Sequence, residues 1–270
     1  MPKRGRWLLK YGSFNFCNLP PWAIASYHFN DNPQPLEIQG VKESNRFLFE
    51  RLNAIPSSHE RALLFNDFMS VKFQLHHWQE QSTDVARMSI RNSYLKFLKG
   101  WKIDSNSVYG AVLKRWVESR IGISPTFHKA RIDDIISETY FNYSVDVMKG
   151  SSQTSAIQSQ LDLLFEFGQY ELPRKYPGLN AITLFRGTHD AEEYDILATM
   201  AKRDQIVRLN NLVSFTSDEE RAWEFGRTVW KTSVPLAKIF FYNDLLPGSM
   251  MKGEDEYMII GGEYHVERLR

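Results

Sequence analysis

The apolar positions along this chain fall into two textures. In the first, apolar residues recur near helical spacing, over residues 47–52 and again over 62–69, with Val71, Phe73, Leu75 and Trp78 extending the second stretch. Residues 93–99 read the same way and stop at Gly100, a residue type suited to a helix end. A further helix is predicted over 107–121, with Gly122 behind it and Gly110 weakening its interior. Residues 133–141 and 157–167 complete a mostly helical first part. The opening forty residues are turn-rich, with prolines at 20, 21, 33 and 35, and predict an irregular segment. Aromatic residues within it, Phe14, Phe16, Trp22, Tyr27 and Phe29 among them, imply that it packs onto the rest.

Residues 150–155 form a small polar stretch, a candidate seam, and beyond it the texture changes. Residues 181–186, 207–215, 228–234, 237–242 and 257–260 are short runs rich in β-branched and aromatic side chains, which predicts strands. Two helices are predicted among them, at 191–201 and 219–225, with Asp190 and Asp218 as natural N-caps. Helices followed by strands give an α+β class, with a mostly helical region over 1–150 packed on a second region over 151–270. No internal repeat or low-complexity run interrupts this order.

Composition narrows the function more by exclusion than by indication. The 270 residues carry 33 Lys plus Arg against 32 Asp plus Glu, a net charge of +1, so there is no global basic excess to bind nucleic acid. Lys3, Arg4, Arg6 and Lys10 read as a solvated tail. Cys17 is the single cysteine, which rules out an intrachain disulfide and fits a reducing compartment. It reads as a small buried apolar residue. No run approaches the roughly 18 apolar residues of a membrane span, and the short apolar run after the basic start does not make a signal peptide, so a cytoplasmic protein is expected. His76 and His77 are adjacent and point to different sides of a helix, and no metal site is expected. No Gly-x-Gly-x-x-Gly opens a helix and there is no P-loop, so dinucleotide binding of the Rossmann type is not supported.

Three segments of the second half carry candidate chemistry. Arg186 closes an apolar strand and is followed by Gly187 and Thr188. A guanidinium there suits phosphate oxygens, and the glycine lets backbone approach a ligand, although a salt-bridged structural arginine explains the same residues. Residues 213–218 end a strand in hydroxyls, Ser214, Thr216 and Ser217, before a capped helix; such hydroxyls orient a carboxylate or a sugar, or simply start a helix. Residues 253–260 place Glu254 two positions before Glu256 at a strand start, hence on one face if the strand includes both. Two carboxylates on one face suit chemistry at a sugar, one stabilising an oxocarbenium ion and the other handling the nucleophile; a solvated acidic loop is the plain alternative.

The order of these segments, an arginine on a strand, a serine-bearing strand end and a Glu-x-Glu strand start, resembles the Arg-Ser-Glu signature of mono-ADP-ribosyltransferases, in the form associated with arginine acceptors. The likeness extends over nearly the whole chain: residues 16–26, 32–41 and 71–78, with Ser93-Tyr94-Leu95 and Gly100-Trp101, resemble the dinitrogenase reductase ADP-ribosyltransferase family. The resemblance implies a small β-sandwich whose cleft takes NAD⁺ as substrate. By it Arg186, flanked by Gly187 and Thr188, would hold the nicotinamide-side phosphate and ribose. Ser217, with Ser214 as the other candidate, would bond the catalytic glutamate and steady the ribose. The identity of that serine is open because Phe215-Thr216-Ser217 departs from the usual Ser-Thr-Ser. Glu256 would bind the ribose 2′-OH and stabilise the oxocarbenium-like state, and Glu254 would orient or deprotonate the acceptor guanidinium. His189 would line the cleft or serve as a loop residue, and residues 246–252 would meet the target. The implied target is an arginine of the nitrogenase iron protein, and the implied regulator a PII-type signal protein contacting the helical region. Competing readings are an NAD⁺-binding module without catalysis, an NAD⁺ hydrolase, and a helical scaffold whose motifs are accidental.

Overall fold

A computed structural model of the chain describes residues 15–75, 93–154, 156–189, 194–247 and 255–269. Serine starts most of the longer helices. Ser57, Ser93, Ser107 and Ser137 each accept a hydrogen bond from a backbone N–H of the first turn, opening α5 (Ser58–Lys72), α6 (Tyr94–Ile103), α7 (Val108–Arg120) and α8 (Glu138–Ser151). Ahead of them lie α1 (Pro21–Ala25), α2 (Tyr27–Asp31), α3 (Val41–Ser44) and α4 (Arg46–Asn53). The described part of the opening segment is thus short helices rather than irregular chain. It packs through buried Ile24, Ala25 and Phe29, while Phe16 and Trp22 face solvent. Asn30 ties it to the sheet by donating to the carbonyl of Glu263 at 2.9 Å.

The predicted helices at 47–52, 62–69 and 107–121 are found, while two are redrawn. Helix α6 does not stop at Gly100; it continues to Ile103, and Gly100 is there because a Cβ would lie 2.3 Å from the ring of Tyr109. The helix predicted over 133–141 begins at Ser137 as cap and runs to Ser151, through the start of the expected seam. The central helix α9 (Ile157–Lys175) is buried on most of its surface. Its acidic residues are each answered by a donor, as buried charges require. Glu171 takes a two-pronged bond from Arg61 at 2.6 and 2.7 Å. Asp162 accepts from the Trp116 indole at 2.8 Å and from Arg120, and Glu166 accepts from the Ile38 amide at 2.5 Å.

The strands are β1 (Phe127–His128), β2 (Ala130–Arg131), β3 (Ala181–Thr188), β4 (Asp195–Thr199), β5 (Asp204–Thr216), β6 (Thr228–Pro235), β7 (Ile239–Tyr242) and β8 (Glu256–Arg268). Strand β4 replaces the helix predicted at 191–201; Asp190, its expected cap, lies outside the described residues. Helix α10 (Glu219–Glu224) is found with Asp218 as its cap. All pairings are antiparallel, and they run round a circuit: β3 with β5, β5 with β8, β8 with β6, and β6 back to β3. Strand β4 flanks β5, and β7 flanks β8. The α+β class therefore stands, with a small closed barrel where the resemblance implied a sandwich of two sheets. Long strands make the closure possible, since β5 and β8 each pair with three neighbours along their length, two of them in the circuit.

One hydrophobic core joins helices and barrel: Trp116 of α7 meets Phe165 of α9 at 5.2 Å and Phe240 of β7 at 4.8 Å between ring centroids. Lys238 is buried in it with no hydrogen-bond partner for its ammonium among the described residues. Its Nζ sits over the rings of Tyr264 and Phe29 at 4.6 and 5.4 Å, and burial lowers its pKa to about 7.

Candidate active site

The site lies where β3, β5 and β8 meet the end of α6. Register brings the strand residues together. Thr216 stands opposite Glu256 and Ser214 opposite Met258, so Ser214, Thr216 and Glu256 share one face of the β5–β8 pair. The register is fixed upstream by a bulge at Asn210 and Asn211. The Asn211 amide donates to the carbonyls of Lys114 and Ile123 at 2.8 and 3.0 Å, and Asn210 donates to the Phe127 carbonyl at 2.8 Å. The bulge thereby ties β5 to α7 and the β1–β2 hairpin.

On that face the Ser214 hydroxyl donates to Glu256 Oε1 at 2.5 Å. The indole N–H of Trp101, in the last turn of α6, reaches both groups, with Ser214 Oγ at 2.8 Å and Glu256 Oε1 at 3.2 Å. Glu256 is only 7% exposed and Trp101 4%. Arg186 of β3 donates to the backbone carbonyl of Ser214 at 2.7 Å, which locks β3 to β5 beside the carboxylate. These residues line a cleft of about 380 Å³ together with residues 102–105, Gly187, Thr188 and Phe225. His189 also lines it.

Behind Trp101 sits Lys114, buried, its ammonium 6.0 Å from the indole ring and donating to Asn106 Oδ1 and the Phe127 carbonyl, both at 3.0 Å. The same charge, second to burial itself, holds the His128 imidazole down to about 4, although Asp146 pulls the other way. His128 is therefore neutral near pH 7 while Lys114 supplies positive charge under the site.

The structure thus brings together Arg186, Gly187, Thr188, Ser214 and Glu256. Ser217 is exposed past the end of β5 and does not line the cleft, so of the two candidate serines Ser214 is the one that meets the glutamate. Gly187 lines the cleft, but the room its missing side chain leaves is taken by protein, since a Cβ would lie 2.0 Å from the Ala222 carbonyl of α10. Glu254 and residues 248–252 of the expected target loop lie outside the described residues. Asp255 is in the left-handed region at φ 39°, so strand alternation begins at Glu256 rather than before it. Nothing in the sequence marks Trp101 as a site residue. Its contacts lie 113 and 155 residues away, and an indole at a helix end is indistinguishable from a core tryptophan. Among the described residues no group of His, Cys, Asp or Glu is placed to hold a metal ion, and no helix is long and apolar enough to cross a membrane.

Residues 14–268 match the family model described as dinitrogenase reductase ADP-ribosyltransferase. A relative from Rhodospirillum rubrum, named NAD(+)–dinitrogen-reductase ADP-D-ribosyltransferase, is 40% identical over 259 residues, covering 94% of each chain. No solved structure matches the chain.

Proposed function

The chain belongs to the dinitrogenase reductase ADP-ribosyltransferase family, and from that premise we propose that it transfers ADP-ribose from NAD⁺ to an arginine of dinitrogenase reductase, reversibly inactivating nitrogenase. The observation that carries the reading is the Ser214–Glu256 contact of 2.5 Å on the wall of a cleft that Arg186 also lines. In this reading 151–270 is the catalytic region, its barrel and flanking strands forming the NAD⁺ cleft, and 1–150 is packed against it.

Arg186 pairs with the phosphate on the nicotinamide side, where a guanidinium offers a fork of donors. Glu256 accepts from the ribose 2′-OH, and its negative charge stabilises the positive charge that grows on the ribose as the C1′–nitrogen bond breaks and its electron pair departs with nicotinamide. Ser214, rather than Ser217, orients the carboxylate by donating to it. The acceptor guanidinium then bonds through nitrogen to C1′ and gives up one proton. Its side chain is otherwise fully charged, so a base is required, and Glu254 is the residue we assign to it. The product carries two new phosphate charges at a docking surface, which blocks electron transfer to the partner. A PII-type regulator and a cytoplasmic setting complete the proposal.

The test is incubation of the protein with labelled NAD⁺ and the iron protein, with Glu256→Gln alongside. Label on the iron protein from the wild type, and a loss of at least about a hundredfold in the variant, is the expected result. Nicotinamide release without transfer would point to hydrolysis, and NAD⁺ binding without turnover to a binding module; either outcome would displace the transferase reading.

A further inference from the structure

The carboxylate at the centre of the site is held from two sides, and only one of them belongs to the strands. Ser214 has a single hydroxyl proton. At 2.5 Å from Glu256 Oε1 that proton is committed to the carboxylate, which leaves the Ser214 oxygen as an acceptor. The indole N–H of Trp101 donates to that oxygen at 2.8 Å and to Glu256 Oε1 at 3.2 Å. An indole nitrogen is a donor only, so this contact cannot be satisfied by a protonated carboxyl group turning its own proton towards Trp101.

Resting on the reading above, we propose that Trp101 is a positioning residue: its N–H, acting with the Ser214 hydroxyl, fixes the Glu256 carboxylate in one rotamer and favours its ionised form, so that the helical region completes the catalytic group of the barrel. The surroundings suit the task. Trp101 is almost fully buried in the last turn of α6, with the Lys114 ammonium 6.0 Å from its ring, so the indole has little freedom to turn away. The other charged or titratable groups lining the cleft are Arg186, Lys102, Asp104 and His189. None of these is altered when the N–H alone is removed. A donor lost from a carboxylate weakens the ionised form relative to the protonated one.

The test uses the full chain with two replacements, Trp101→Phe and an isostere of the same shape, benzothienylalanine at position 101, in which sulfur replaces the indole N–H. Nicotinamide release is measured as kcat and KM for NAD⁺ across pH, with Glu256→Gln and Ser214→Ala as companions. Both replacements are expected to lower kcat about tenfold to a hundredfold, as loss of a bond to a charged group implies, with KM within about threefold. The acid limb of the rate profile should move to higher pH by about one unit. In the Ser214→Ala background Trp101→Phe should cost less than it does alone. If Trp101→Phe does not fold, the isostere decides. An isostere with wild-type kcat and an unmoved acid limb would show that Trp101 only packs, and a loss confined to KM would make it a substrate contact; both overturn the inference. A Glu256→Gln variant with undiminished turnover would instead overturn the function proposed for the site.

Discussion

The Ser214 hydroxyl has one proton to give and two lone pairs to offer, and the fold uses the proton on Glu256 and a lone pair on Trp101. Ser217 has neither contact. Ser214→Ala should therefore lower NAD⁺ turnover about tenfold or more, in line with the loss of a hydrogen bond to a charged group, while Ser217→Ala should leave it within about twofold. Steady-state nicotinamide release from the two variants distinguishes them, and a Ser214→Ala variant as active as wild type would mean that the serine contact does not matter to the chemistry. Arg186 and Glu256 were legible in the sequence because each is a charged side chain at the edge of an apolar run. The serine was not, because strand ends cannot be located to better than a few residues from pattern alone. Strand β5 extends to Thr216, which leaves Ser214 inside it with the parity of Glu256, and Ser217 beyond it.

Local chemistry made most elements readable where it agreed with the fold. Helical spacing located α5 and α7, and β-branched runs located β3, β5 and β6. The helix expected at 191–201 rests on Leu and Ala, good helix formers that β4 nevertheless holds extended by pairing with β5 along Asp195–Arg208 to Thr199–Gln205. Tertiary pairing won there, and no short-range signal reports it. Gly187 reads from the sequence as room for a ligand to approach the backbone, whereas in the fold that room is taken by α10. Gly187→Ala would put a Cβ 2.0 Å from the Ala222 carbonyl, backbone against backbone, so β3 and α10 must separate. That variant should lose roughly 2 kcal/mol or more of stability, as overpacking does, and most of its activity. A denaturation midpoint equal to wild type would show that α10 yields without cost.

Across the whole molecule, the helices and the barrel share one core, and the sequence could not show this because the contacts span more than a hundred residues. Lys238 is buried in that core over two aromatic rings. Its pKa falls from 10.5 in the ordinary case to about 7 in the fold. Between those values the unfolded chain holds a proton that the folded chain has released, so stability should climb as pH rises from about 7 towards 10.5 and be lowest below that window. Lys238→Met should remove this climb and stabilise the protein at pH 7 by about 1–3 kcal/mol, since an apolar side chain ends the cost of burying an unpaired amine. Urea denaturation of both proteins at pH 7 and pH 10 measures the difference. A wild-type stability that does not rise relative to the variant would mean that the amine finds a partner in solution.

The circuit of strands has a consequence for how the protein is made. Synthesis proceeds from the N-terminus, so the helices that carry Trp101 and the strands that carry Arg186 and Ser214 leave the ribosome before β8 does. Glu256 opens β8, the strand that pairs with both β5 and β6 and so completes the circle. Until it docks, the cleft lacks the Glu256 carboxylate, and on the role proposed for that residue a nascent chain that has already formed the other walls of the site should not turn over NAD⁺.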